Sequence, residues 1–148
     1  MIKDILVPYV NTDSENAPAA AAMALAEAFQ AHVAMLVTVD VQAPMPSDWG
    51  AMAYDMYARL HEEARKRALE RVEALRAKFA HATVPPEVSM TEAESLYTQN
   101  AATLQARYAD ISVLPAMPRS GAENMYVHDY FHDLLRHSGR PVLVVPAG

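Results

Sequence analysis

Cysteine is absent from the 148 residues, which removes disulfides, thiolate metal sites and a cysteine nucleophile. Glycine is scarce, with four residues, and no Gly-x-Ser-x-Gly elbow presents a serine for hydrolysis. Ser120 has no evident histidine and acid partners, and neither a carboxylate pair nor a metal triad emerges from the spacing. The expectation is a protein that is not an enzyme. Basic charge is the minority, 12 Lys and Arg against 18 Asp and Glu for a net charge of −6. Such a surface repels phosphate backbones, so nucleic acid is not an expected partner. Long hydrophobic runs are missing too. The longest, Ala17 to Phe29, is interrupted by Glu27 and falls short of the roughly 20 residues that span a bilayer. No basic segment followed by an apolar one precedes the first strand at Ile2, so no secretory signal is expected. Repeats, low-complexity tracts and linkers are also lacking. These absences point to a soluble cytoplasmic protein with a single domain over residues 1–148.

What is present is an ordinary globular composition, 52% hydrophobic and 20% charged. Ile2 to Val7 reads as a short strand that closes at Pro8. Turn-forming Asn11, Thr12, Asp13 and Ser14 follow, then an Ala-rich helix over about 17–31 with Pro18 in its first turn. Val33, Met35, Val37, Val39 and Val41 alternate in a second strand, 32–41. After a loop with Pro44, Pro46 and Gly50 comes a long helix, about 51–82. Met52, Met56, Leu60, Ala64, Ala68, Val72, Leu75 and Phe79 form its apolar stripe. Arg59–Glu63, Glu62–Lys66 and Glu63–Arg67 lie one turn apart on its solvated face. Pro85 and Pro86 stop that helix, and 88–93 forms a third strand. Then come a helix over 95–108, a short buried strand over 111–114, a helix ending near Ser138-Gly139, and a last strand over 141–146.

The order βαβαβαβαβ with continuous apolar strands predicts an open five-stranded parallel sheet, order 3-2-1-4-5, covered by helices on both faces. In such a Rossmann-like sheet, ligands bind beyond the carboxyl ends of the strands, where the strand order reverses. The loops after strand one and strand four are therefore the candidate sites.

The second loop and its surroundings carry a resemblance. Ala109-Asp110-Ile-Ser-Val-Leu, Arg119-Ser120-Gly121, Leu134-Leu135-Arg136-His137 and Pro141-Val-Leu-Val-Val-Pro146 resemble, without gaps, the C-terminal half of the universal stress protein family. Ile5-Leu-Val-Pro8 and the element order resemble its N-terminal half, so the likeness covers the whole chain. It implies an adenine nucleotide alpha hydrolase-like fold and a stress-response or signalling role. Many members bind ATP through Gly-x-x-Gly followed, nine residues on, by Gly-Ser or Gly-Thr, with an Asp after strand one. Glycines there let backbone N–H groups approach phosphates at a helix N-terminus.

This sequence departs at each of those positions. The first two glycines fall on Pro115 and Pro118, which have no N–H to donate. The Gly-Ser pair falls on His128-Asp129, and the Asp falls on Val10. The resemblance thus implies a degenerate nucleotide site, with no cofactor expected and ATP disfavoured. Asp129 is expected where the fourth helix begins, capping its free N–H groups. For Arg119, Ser120 and Gly121 two readings stay open, a small-anion site and an exposed turn.

Other residues have competing readings. His128 and His132, one helical turn apart with Asp129 beside them, suit zinc or nickel or a pH-sensitive cluster, or form a solvated face. In that arrangement Val127, Tyr130, Phe131, Leu134 and Leu135 face the core. Tyr9, Val10 and Tyr126 line an apolar pocket for a non-nucleotide ligand, or simply pack. Met23, Met35, Met52 and Met56 read as core filler. Trp49 either caps the core or meets a partner. The last strand, with Val142, Leu143, Val144 and Val145, reads as an exposed apolar edge. By the resemblance it is the strand that pairs across a homodimer axis. Three roles remain open: a nucleotide-independent dimer that contacts protein partners, a small-ligand or metal sensor, and an ordinary ATP switch.

Overall fold

The computed structural model describes residues 1–9, 16–41, 51–94, 98–117 and 123–146. They form nine alternating elements: β1 (Asp4–Tyr9), α1 (Asn16–Phe29), β2 (His32–Val41), α2 (Ala51–Lys78), β3 (Glu87–Glu94), α3 (Thr98–Ala106), β4 (Ile111–Pro115), α4 (Glu123–His137) and β5 (Val142–Val145). The sheet is parallel with order β3-β2-β1-β4-β5, as the sequence predicts.

Side-chain alternation divides the strands between two cores. Ile5, Val7 and Tyr9 of β1 join Val33, Met35, Val37 and Val39 of β2 under α1 and α2. Leu6, Leu36 and Leu114 point the other way, against Ala102 and Ala106 of α3 and Val127, Tyr130 and Leu134 of α4. Alanines do the packing of α1. Ala19, Ala22 and Ala26 recur every three or four residues and are buried. The helix closes with Gln30 in the left-handed region at φ 52°, while the Ala31 N–H donates to the Ala26 carbonyl at 3.0 Å. This is a Schellman ending, with glutamine where glycine is usual.

Three expectations need correcting. The long helix ends at Lys78, not near residue 82. Past it the hydrogen bonds tighten to i→i−3, Ala80 to Ala77 and Ala82 to Phe79, and the chain leaves the helix before the prolines. The stripe of α2 is core only from its middle onward. Ala68, Val72 and Leu75 are buried, but Met56 and Leu60 are exposed. The reason is angle: Tyr57, one position after Met56, packs against the core as Ala64 does, so the first half of the helix faces the sheet along the line through 57 and 64 rather than through 56 and 60. Met56 is therefore not core filler, although Met35 is. Finally, α4 starts at Glu123, so Asp129 lies inside the helix and cannot cap it. Trp49 and the start expected for the third helix, residues 95–97, lie outside the described residues, as do the Met52 and Tyr126 side chains.

The two sheet edges differ. On β3, Glu92 holds Arg65 at 3.0 Å and His61 at 3.7 Å, and such charges discourage edge pairing. At the other edge, β5 carries Leu143 and Val144, 36% and 40% exposed.

Candidate functional site

The switch point lies between β1 and β4. The chain leaves β1 through α1 towards β2, and leaves β4 through α4 towards β5, in opposite directions. That geometry opens a crevice beyond Tyr9 and Pro115, where parallel α/β sheets take ligands. Of the candidates in its two loops, Val10, Pro118, Arg119, Ser120 and Gly121 lie outside the described residues. Tyr9 is described and is buried among the α1/α2 core, its hydroxyl 4.0 Å from the Met35 sulfur. Pro115 is buried in register with Val145, and the Ala116 N–H after it donates to the Val145 carbonyl at 2.7 Å.

Two residues beside the crevice were not legible as site residues. Tyr130 of α4 donates its buried hydroxyl to Thr38 of β2 at 3.2 Å. Because β1 lies between β4 and β2, this side chain reaches across the α3/α4 face of β1 near its carboxyl end. The sequence marks Tyr130 only as one member of a core stripe, and Thr38 only as a polar break between two valines. Their pairing depends on how three strands sit side by side.

The stripe of α4 is Val127, Tyr130, Phe131 and Leu134, all buried or packed on the core. Leu135, assigned to it from sequence, is instead 56% exposed. At 100° per residue it lies beyond the arc that faces the sheet. On the outer side, the rings of His128 and His132 stack with centroids 5.8 Å apart and planes at 17°. His128 Nδ1 lies 3.6 Å from an Asp129 carboxylate oxygen. The structure brings these three together at the surface. Still, among the described residues no group of three or more His, Asp or Glu is arranged to hold a metal ion.

At the opposite end of the sheet, Asp110 ties β4 to β1. Its carboxylate accepts the Lys3 and Asp4 backbone N–H groups at 2.7 and 3.1 Å. Those two bonds hold its pKa below the ordinary carboxylate value against the opposing effect of burial, with the charges of Arg140 and the amino terminus helping. The Arg140 guanidinium donates to the Arg107 carbonyl at 3.2 Å, and Arg107 to the His137 carbonyl at 3.2 Å. This fastens the ends of α3 and α4 together. No helix among the described residues is long and apolar enough to cross a membrane.

These features define a doubly wound, Rossmann-like α/β domain with its switch point between the first and fourth strands. Comparison with solved structures finds the same fold in universal stress protein UspA from Lactobacillus plantarum, at 19% identity and a TM-score of 0.75 over 97% of each chain. A protein of the universal stress protein family from Burkholderia pseudomallei aligns at 20% identity and a TM-score of 0.64, over 99% of this chain and 97% of that one. A universal stress protein in complex with cAMP aligns at 19% identity and a TM-score of 0.56 over 99% of each chain. No curated protein matches in sequence. The profile of the universal stress protein family matches residues 1–146, and the chain belongs to that family.

Proposed function

We propose that this chain is a stress-response protein of the non-enzymatic kind, acting as a homodimer through β5 and not holding ATP as nucleotide-binding family members do. The observation that carries this reading is the unbroken α4. The family's phosphate-binding Gly-Ser pair falls on His128-Asp129, and these residues lie in the helix interior, five and six positions after Glu123. Backbone N–H groups there are committed to carbonyls four residues earlier and are not free for phosphate oxygens. A carboxylate at Asp129 adds repulsion. Pro115 offers no N–H at the first glycine position. The Tyr130–Thr38 contact places an aromatic ring beside the crevice.

The dimer rests on the contrast between the two edges. β3 is guarded by charge, while β5 exposes Leu143 and Val144 along a strand whose outer hydrogen-bonding groups face no strand among the described residues. Antiparallel pairing of two β5 strands about a twofold axis satisfies both the backbone and the apolar side chains.

Isothermal titration of nucleotide-free protein with ATP and with cAMP tests the first part. No saturable heat is expected. Micromolar binding of ATP makes the protein a nucleotide switch, and binding of cAMP alone makes it a sensor of a smaller nucleotide. Light scattering tests the second part. The native chain is expected at twice its 16.3 kDa mass, and Leu143→Lys with Val144→Lys at the monomer mass. A native monomer overturns it.

A further inference from the structure

We infer that the amino-terminal end of the sheet, opposite the switch point, carries a second ligand site, which takes a small organic monocation with an apolar body. It is independent of the nucleotide and dimer readings.

A cleft of about 210 Å³ lies between the starts of β1 and β2 and the end of α3. Leu6, Ala34 and Ala109 form its apolar lining, and the Tyr108 ring stands exposed at its side. Size limits the guest to one ring and a short arm, since an apolar cavity of about 150 Å³ accommodates benzene. Charge sets the sign. Asp4 and His32 line the cleft, with His32 Nδ1 3.6 Å from Asp4 and its Nε2 3.4 Å from Glu87. Neither carboxylate has a Lys or Arg partner among the described residues. Two carboxylates and one imidazole sum to a negative charge whether or not the imidazole is protonated. Asp110 is occupied by the Lys3 and Asp4 amides, and Arg140 and the amino terminus act on it. An ammonium or amidinium at the mouth, with its ring over Leu6 and Ala34, satisfies both halves of the cleft.

The test is a ¹⁵N–¹H NMR titration with benzylamine, benzyl alcohol and benzoate. Benzylamine is expected to shift the Ile5, Leu6, Ala34 and Ala109 amides in one saturable process with a Kd of about 1 mM, ordinary for so small a ligand. Benzyl alcohol should bind about threefold to fivefold more weakly, the size of one exposed charge interaction, and benzoate not at all. The double variant Asp4→Asn with Glu87→Gln should bring benzylamine down to the level of benzyl alcohol. Ala109→Leu fills the cleft and should abolish both. If Ala109→Leu does not fold, the exposed double variant still decides. Absence of saturable shifts at these residues, binding of benzoate as tight as benzylamine, or an unchanged Kd in the double variant each overturns the inference.

Discussion

Thr103 and Ser112 are buried, and neither hydroxyl has a hydrogen-bond partner among the described residues. Burying a hydroxyl without a partner costs about 1–3 kcal/mol. Thr103→Val keeps the shape of the side chain, exchanges the stranded oxygen for a methyl, and leaves helix propensity nearly unchanged. It should therefore stabilise the protein by about 1 kcal/mol, or about 2–4 °C in Tm for a domain of this size. Ser112→Ala removes the oxygen but leaves a small void in a strand, where alanine is a weaker choice, so its gain should be about 0.5 kcal/mol. Thr38 is the control. It is equally buried but receives the Tyr130 hydroxyl at 3.2 Å, so Thr38→Val should lose about 1 kcal/mol. Urea unfolding followed by circular dichroism measures all three as shifts in midpoint at constant slope. Most substitutions destabilise, so the sign is informative. Loss of stability in Thr103→Val or Ser112→Ala, or a gain in Thr38→Val, refutes the reasoning.

Adjacent leucines in α4 should behave oppositely. Leu134→Ala should cost about 3 kcal/mol because the side chain is fully buried, and Leu135→Ala less than about 0.5; equal losses in urea midpoints would mean the helix is rotated. Gly139 and Gln30 both sit in the left-handed region, at φ 67° and 52°. Gly139→Ala should cost about 1 kcal/mol although nothing crowds its Cβ, while Gln30→Gly should gain about 0.5–1 kcal/mol; thermal melts with matching signs in the two would count against the capping geometry. Asp110 has its folded pKa lowered, so its contribution is present above the unfolded pKa and is lost as pH falls through the folded value. The stability gap between the native chain and Asp110→Asn should thus shrink from pH 7 towards pH 3, and a constant gap contradicts the role of the two amide bonds.

The strands and their order were legible because period two and period 3.6 are written directly into the apolar residues. The second strand falls where Val33 to Val41 alternate, and the third is off by one residue at each end. Where the sequence misled, the missing information was helix angle or register. Met56 and Leu60 belong to the stripe of α2 by spacing, yet it is Tyr57, one position after Met56, that packs against the core. Asp129 looked like a cap because it falls where the family's Gly-Ser pair meets the start of the helix. The core residue Val127, two positions earlier, already requires the helix to have begun. Leu135 next to Leu134 is ambiguous in any short stripe until the sheet fixes the angle. At the site itself, Tyr130 with Thr38 and the cleft between Asp4, His32 and Ala109 bring together residues 92 and 105 positions apart in their outermost members. No local pattern announces such meetings.

The same geometry makes a prediction about restoring nucleotide binding. Val127, Tyr130 and Leu134 are buried at helical spacing, so their packing holds the backbone helical through residues 128 and 129. Replacing His128 by Gly and Asp129 by Ser puts the family's residue types back. It does not free the N–H groups, which remain bonded within α4. Pro115 still lacks a donor, and the Tyr130 ring still lies beside the crevice. The double variant is therefore expected to lose about 1 kcal/mol from glycine in a helix interior and to give no saturable heat with ATP by isothermal titration. Binding in that variant would mean that side-chain identity at 128 and 129, rather than backbone conformation, had set the block. The unbroken helix would then not be its cause.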